Sequence, residues 1–177
     1  MSLSVATVRP PAAIYREEQW FGWWAYAVLG LIFSLAWVVL VDRTVGWPSP
    51  WFHFQGRAFK LLVAAGLVVP PAIVVGALRM LTLVTPTELR VSFGFLPTYR
   101  RVVALDAIAS FEVVHYHPIR TYAGWGVRFG RDGERVYNAR GDRGVRITLL
   151  DGSKLLVGSQ CPEQFALAIE AARRPGL

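Results

Sequence analysis

The sequence predicts an α+β membrane protein: a helical hairpin in the bilayer, then a small, mainly β domain ending in one helix. Three observations predict it. Residues 20–41 are 22 residues without a charge, residues 61–84 form a second apolar block, and from residue 85 short β-branched and aromatic runs alternate with polar residues. The expected organisation is a tail at 1–19, a first span at 20–41, a linker at 42–60, a second span at 61–84 and a β domain at 85–177.

Composition supports this division. Of 177 residues, 54% are hydrophobic, and mean hydropathy is +0.38. That is above the usual share for a soluble domain. The excess sits in the two blocks.

The first block runs from Trp20 to Val41. As a helix it is about 33 Å long, enough to cross a hydrocarbon core. Asp42 and Arg43 end it, and Arg16, Glu17 and Glu18 precede it. Trp20, Trp23 and Trp24 have the amphipathic rings expected at headgroup level. Two acids ahead of a long apolar stretch fit a secretory signal poorly.

The second block contains LLVAAGLVVPPAIVVGAL, Leu61 to Leu78, between Lys60 and Arg79. Backbone in lipid must satisfy its own hydrogen bonds, so a span here is helical. Pro70 and Pro71 each remove one such bond, which predicts a kink and a freed carbonyl around Ala65–Val68. Gly66 and Gly76 are expected to let another helix approach closely.

In the linker, Trp47, Trp51, Phe52 and Phe54 are expected along the opposite membrane interface. The linker carries Arg43, Arg57 and Lys60; the other flanks carry Arg9, Arg16, Arg79, Arg90, Arg100 and Arg101. This bias predicts both termini on the cytoplasmic side of a plasma membrane, with two spans. One cysteine, Cys161, excludes an intrachain disulfide.

The β domain reads in order as strands at 87–94, 99–105, 108–116, 124–129 and 135–139, then two strands within 144–159. Asp151–Gly152 between alternating runs is a strong hairpin signal. A further short strand at 81–84 competes with the end of the second span. The stretch CPEQFALAIEAARR closes the chain as a helix, with Pro162 in its first turn and Phe165, Ala168, Ile169 and Ala172 on one face.

Two apolar blocks, then a strand-rich unit carrying GWGVR and RGDRGVRITLLDGSKLLVGSQCPEQFALAIE, resemble bacterial membrane-anchored PH-like domain proteins. The resemblance covers residues 61–174. It implies a PH-like antiparallel roll of about seven strands with a C-terminal helix, a plan that serves lipid binding, peptide binding and scaffolding alike.

Catalytic patterns are missing from the sequence. Gly124, Gly126 and Gly130 miss the dinucleotide spacing. His115 and His117 have no cysteine or acidic partner at ligand spacing. Neither Trp20–Val41 nor Leu61–Leu78 holds a His, Asp, Glu, Lys or Arg, which argues against a transport path or an axial ligand for a pigment. Arg140–Gly141–Asp142 reads as a turn. No enzyme activity, substrate, metal, cofactor or nucleic-acid partner is expected.

The positive signal is basic. Net charge is +7, and apart from Lys60 and Lys154 every basic side chain is arginine. Arg128, Arg131, Arg135, Arg140, Arg143 and Arg146 crowd one region, and with Arg79 they are candidates for lipid or partner contact. Two functions follow as expectations. One is a non-enzymatic accessory or assembly subunit of a larger integral-membrane complex, an energy-transducing (photosynthetic or respiratory) complex being one such setting. The other is an autonomous membrane-anchored module that binds lipid or peptide. The partners are then membrane lipids and other integral-membrane subunits.

Overall fold

The computed structural model describes residues 12–45, 57–95, 99–130 and 132–174. Strand β1 (Tyr15–Trp20) leads into helix α1 (Trp23–Val45), and helix α2 (Arg57–Ala77) leads into strand β2 (Arg79–Val84). Then come β3 (Glu88–Phe93), β4 (Tyr99–Ala104), a 3-10 turn (Leu105–Ala107) and β5 (Ile108–His115). The short helix α3 (Pro118–Tyr122), β6 (Gly126–Phe129), β7 (Arg135–Asn138), β8 (Arg143–Leu149), β9 (Lys154–Gly158) and helix α4 (Pro162–Arg173) complete the chain.

The expected single roll of about seven strands is therefore corrected. Among the described residues nine strands form two sheets, ordered β1-β2-β3-β4 and β5-β8-β9-β7-β6. One pair, β7 with β9, is parallel. Of the two additional strands, one lies where the sequence read a tail, and the other is the short strand at 81–84 that competes with the end of the second span. β1 occupies the end of the expected tail, and β2 occupies the end of the expected second span.

Physical causes can be named for both. β1, YREEQW, turns polar side chains toward the protein, which hides its alternation. Gln19 is buried and donates from Nε2 to the Gly158 carbonyl at 2.8 Å. Glu17 accepts from the Ser159 hydroxyl and the Gln160 N–H, both at 2.7 Å. β2 alternates cleanly, burying Met80, Thr82 and Val84, but it abuts an apolar helix and so reads as its continuation.

The two-span hairpin is corrected as well. Among the described residues only α1, over Trp23–Leu40, is long and apolar enough to cross a membrane. α2 starts back at Arg57, takes in Lys60, and stops at Ala77, because Met80–Val84 went into the sheet. It remains helical through Pro70 and Pro71 and packs along α1. β1 and β2 pair from Tyr15↔Val84 to Trp20↔Arg79, so the two helices leave and rejoin one sheet at adjacent strand ends.

The core lies between the sheets. Met80, Leu89 and Val91 from the first sheet meet Val145, Ile147 and Val157 from the second. α4 closes the open side with Phe165, Ala168 and Ile169, and Tyr15 stacks on Phe165 at 5.4 Å. A fully buried side chain of this kind contributes about 1.5–3 kcal/mol. Gly144 and Gly158 face each other where β8 meets β9. A Cβ on Gly144 would stand 2.4 Å from the Val157 carbonyl oxygen, so only glycine fits there.

Candidate functional site at the base of the first helix

The end of the β domain from which the helices emerge is built of aromatic side chains. Only Phe21 and Gly22 separate β1 from α1, so the strand fixes the start of the helix. Tyr26 locks this junction. Its hydroxyl accepts from the Phe21 N–H at 3.2 Å and donates to the Leu78 carbonyl at 2.6 Å, tying α1 to the far end of α2.

Beside it, Arg79 lies over the rings of Phe95, at 4.7 Å, and Trp20, at 5.9 Å. Its charge is paired with Glu18. Phe95 reaches this stack because its N–H bonds the Gly76 carbonyl at 3.0 Å. A Cβ on Gly76 would approach Phe95 to 3.1 Å. Gly76 therefore admits a loop of the β domain. Gly66 instead receives an α1 side chain, with the Trp37 indole lying across it.

A second loop completes the site. After α3 the backbone passes through left-handed conformations at Ala123 (φ 57°), Gly124 (φ 122°) and Gly126 (φ 106°). Two glycines make this affordable in strain, and they aim Trp125 at α1. Trp24 and Trp125 meet at 5.4 Å between ring centroids. The loop is pinned by the Gly126 N–H to Asn138 Oδ1 at 2.9 Å and by Trp125 Nε1–H to the Gly141 carbonyl at 3.4 Å. Below it, the largely buried Glu134 accepts from the Tyr122 hydroxyl and from Arg146 Nε, each at 2.7 Å. The hydrogen-bonded Glu134 carboxylate raises the pKa of Arg146 above the usual guanidinium value.

Between α1 and these loops is a cavity of about 490 Å³. Phe21, Trp23, Trp24, Tyr26 and Trp125 form its walls and Arg140 stands at its rim. The lining carries no carboxylate, imidazole or thiol among the described residues. It offers aromatic surface and one positive charge, which suits binding and gives no acid–base pair.

The expected arginine cluster separates into groups. Arg143 pairs with Glu163, and Arg146 with Glu134 and Glu112. Arg135 lies over the Phe129 ring at 5.6 Å on the β6–β7 hairpin. Arg128 reaches back to the Trp125 loop, with Nη2 3.7 Å from where a Cβ on Gly124 would be. Among the described residues neither Arg128 nor Arg140 has a carboxylate within 4.0 Å. Arg131, Trp47, Trp51, Phe52 and Phe54 lie outside the described residues. Trp20, Trp23 and Trp24 are all exposed at this end, Trp23 by 80%. The sequence reading missed Phe21, Tyr26 and Trp125; the signal was a large aromatic residue between two glycines, Gly124 and Gly126.

Neither a family model nor a curated protein matches this chain.

Proposed function

We propose that this protein is a non-enzymatic, membrane-anchored accessory or assembly subunit of a larger integral-membrane complex. α1 seats it in the bilayer, and the β domain is held against the cytoplasmic face of the plasma membrane. The carrying observation is the uncovered surface of the helices. Only 6% of the apolar window of α1 is buried against the rest of the chain. Val28, Leu31, Ile32, Leu35 and Val39 on α1 are exposed, as are Val68 and Ile73 on α2. Contiguous apolar surface of this extent needs a cover. Lipid supplies part of it, and helices of other subunits, packing by shape, supply the rest. The arginine bias of the flanks supports the cytoplasmic side for the β domain.

Purification in mild detergent followed by native mass measurement tests this reading. The expected result is a discrete assembly containing other membrane subunits. A monomer or homo-oligomer that brings no other subunit overturns it.

A second reading, an autonomous lipid-binding module, is favoured by one separate observation. The aromatic cavity with Arg140 at its rim lies at the very start of α1.

A further inference from the structure

We infer that the cavity lined by Trp24, Trp125 and Arg140 binds the phosphodiester of a phospholipid headgroup, taken from the membrane that holds α1. The inference rests on α1 lying in a membrane and develops the lipid-binding reading.

Depth comes first. The cavity is lined by Trp23 and Trp24, the first residues of the apolar stretch Trp23–Leu40. If that stretch occupies hydrocarbon, its first turn is at headgroup level, where indole rings concentrate. The cavity therefore opens where phosphodiesters are most abundant.

Charge comes second. Arg140 stands at the rim without a carboxylate partner among the described residues, while Arg79, Arg143 and Arg146 at this end are already paired. A guanidinium matches the two non-bridging oxygens of a phosphodiester in a two-pronged contact. Arg128, near Gly124 on the same loop, adds positive potential. An aromatic box can also hold a quaternary ammonium by cation–π attraction. With an arginine at the rim and no acid in the lining, an isolated cation is disfavoured, and the phosphate is the group recognised.

Shape comes third. A volume of about 490 Å³ lies within the ordinary range for small-ligand sites. The rings provide an apolar wall for the glycerol and the first methylenes of the acyl chains. The walls are formed in advance, since Trp125 is held through Gly141 and Asn138, and α1 through Tyr26.

The test uses the full chain in a non-ionic detergent, with a short-chain phosphatidylglycerol as probe and native mass spectrometry as readout. Saturable binding of one lipid is expected, weakened about tenfold in Arg140→Gln by loss of a charge-assisted contact. Arg140→Lys is expected to recover part of the affinity, and Arg173→Gln, at the far end of α4, to change nothing. Trp125→Ala is expected to lose binding while circular dichroism stays that of the parent. Equal lipid binding by Arg140→Gln and the parent overturns the assignment. So does inorganic phosphate that binds as tightly as the lipid, because the site then takes a free anion. Carbonate extraction of native membranes separates the two levels. A chain released by carbonate removes the membrane reading itself, whereas a retained chain with an Arg140-independent lipid signal removes only the site.

Discussion

Replacing Gly66 with alanine should open the seam between α1 and α2. The new Cβ would lie 1.7 Å from Trp37 Cε2, 2.0 Å from Nε1 and 2.3 Å from Cδ2. Carbon atoms rest at about 3.5–4.0 Å, so one side must retreat by roughly 2 Å. The intruded group is a rigid bicyclic ring, and no flexible side-chain end can swing aside. Overpacking of this kind costs about 1–3 kcal/mol, and the size of the overlap points to the upper half of that range. The assay is equilibrium unfolding of the full chain in mixed detergent micelles, followed by tryptophan fluorescence. Trp37→Ala supplies the control. It removes the obstacle, so adding Gly66→Ala to it should cost under about 0.5 kcal/mol, and the two changes should be strongly non-additive. Additive losses, or a Gly66→Ala protein as stable as the parent, would refute the reasoning.

Three further outcomes are expected. Gly144→Ala drives a Cβ to within 2.4 Å of a backbone oxygen of β9, which cannot step aside, and should lower stability by about 3 kcal/mol in thermal denaturation. Glu134→Ala strands the Tyr122 hydroxyl and weakens the hold on Arg146; a loss of about 2 kcal/mol, with a changed near-ultraviolet dichroism from the Trp125 loop, is expected in chemical denaturation. Burial pushes the Tyr116 phenol up to about 12, from an ordinary value of about 10. Its contribution to stability is complete below the unfolded value and lost as pH rises through the folded one. Denaturation measured on either side of about pH 10–12 should therefore fall less steeply for Tyr116→Phe than for the parent.

Elements whose side chains obey a simple period were readable in advance. The face of α4 with Phe165, Ala168 and Ile169, and the β8–β9 hairpin turning at Gly152 (φ 80°), declare themselves by spacing and turn chemistry. β1 was not readable, because its inward residues Glu17 and Gln19 are polar and find their partners at residues 158–160, far away in sequence. β2 was obscured by its neighbour, since an apolar strand joined to an apolar helix gives one continuous hydrophobic run. The site was half readable. The tryptophans of α1 stood out by composition, but their meeting with Trp125 depends on three left-handed residues and on a loop one hundred positions later. The arginines looked like one patch because sequence distance cannot tell which of them Glu112, Glu134 and Glu163 neutralise.

The pairing of β1 with β2 sets an order of events during synthesis. β1 leaves the ribosome first, yet its one neighbour in the sheet among the described residues follows α1 and α2. Until both helices have been made β1 has no strand to pair with, and Gln19 and Glu17 meet Gly158, Ser159 and Gln160 only after β9 has been made. The β domain can be completed only after the helical part has settled, with loop closure across some sixty residues adding a modest entropic cost. The edge strand thus acts as a checkpoint. A protease site placed beside Tyr15 should be cut while the helices are unassembled and become protected once they have docked, which makes the first few residues of the sheet a reporter of membrane assembly.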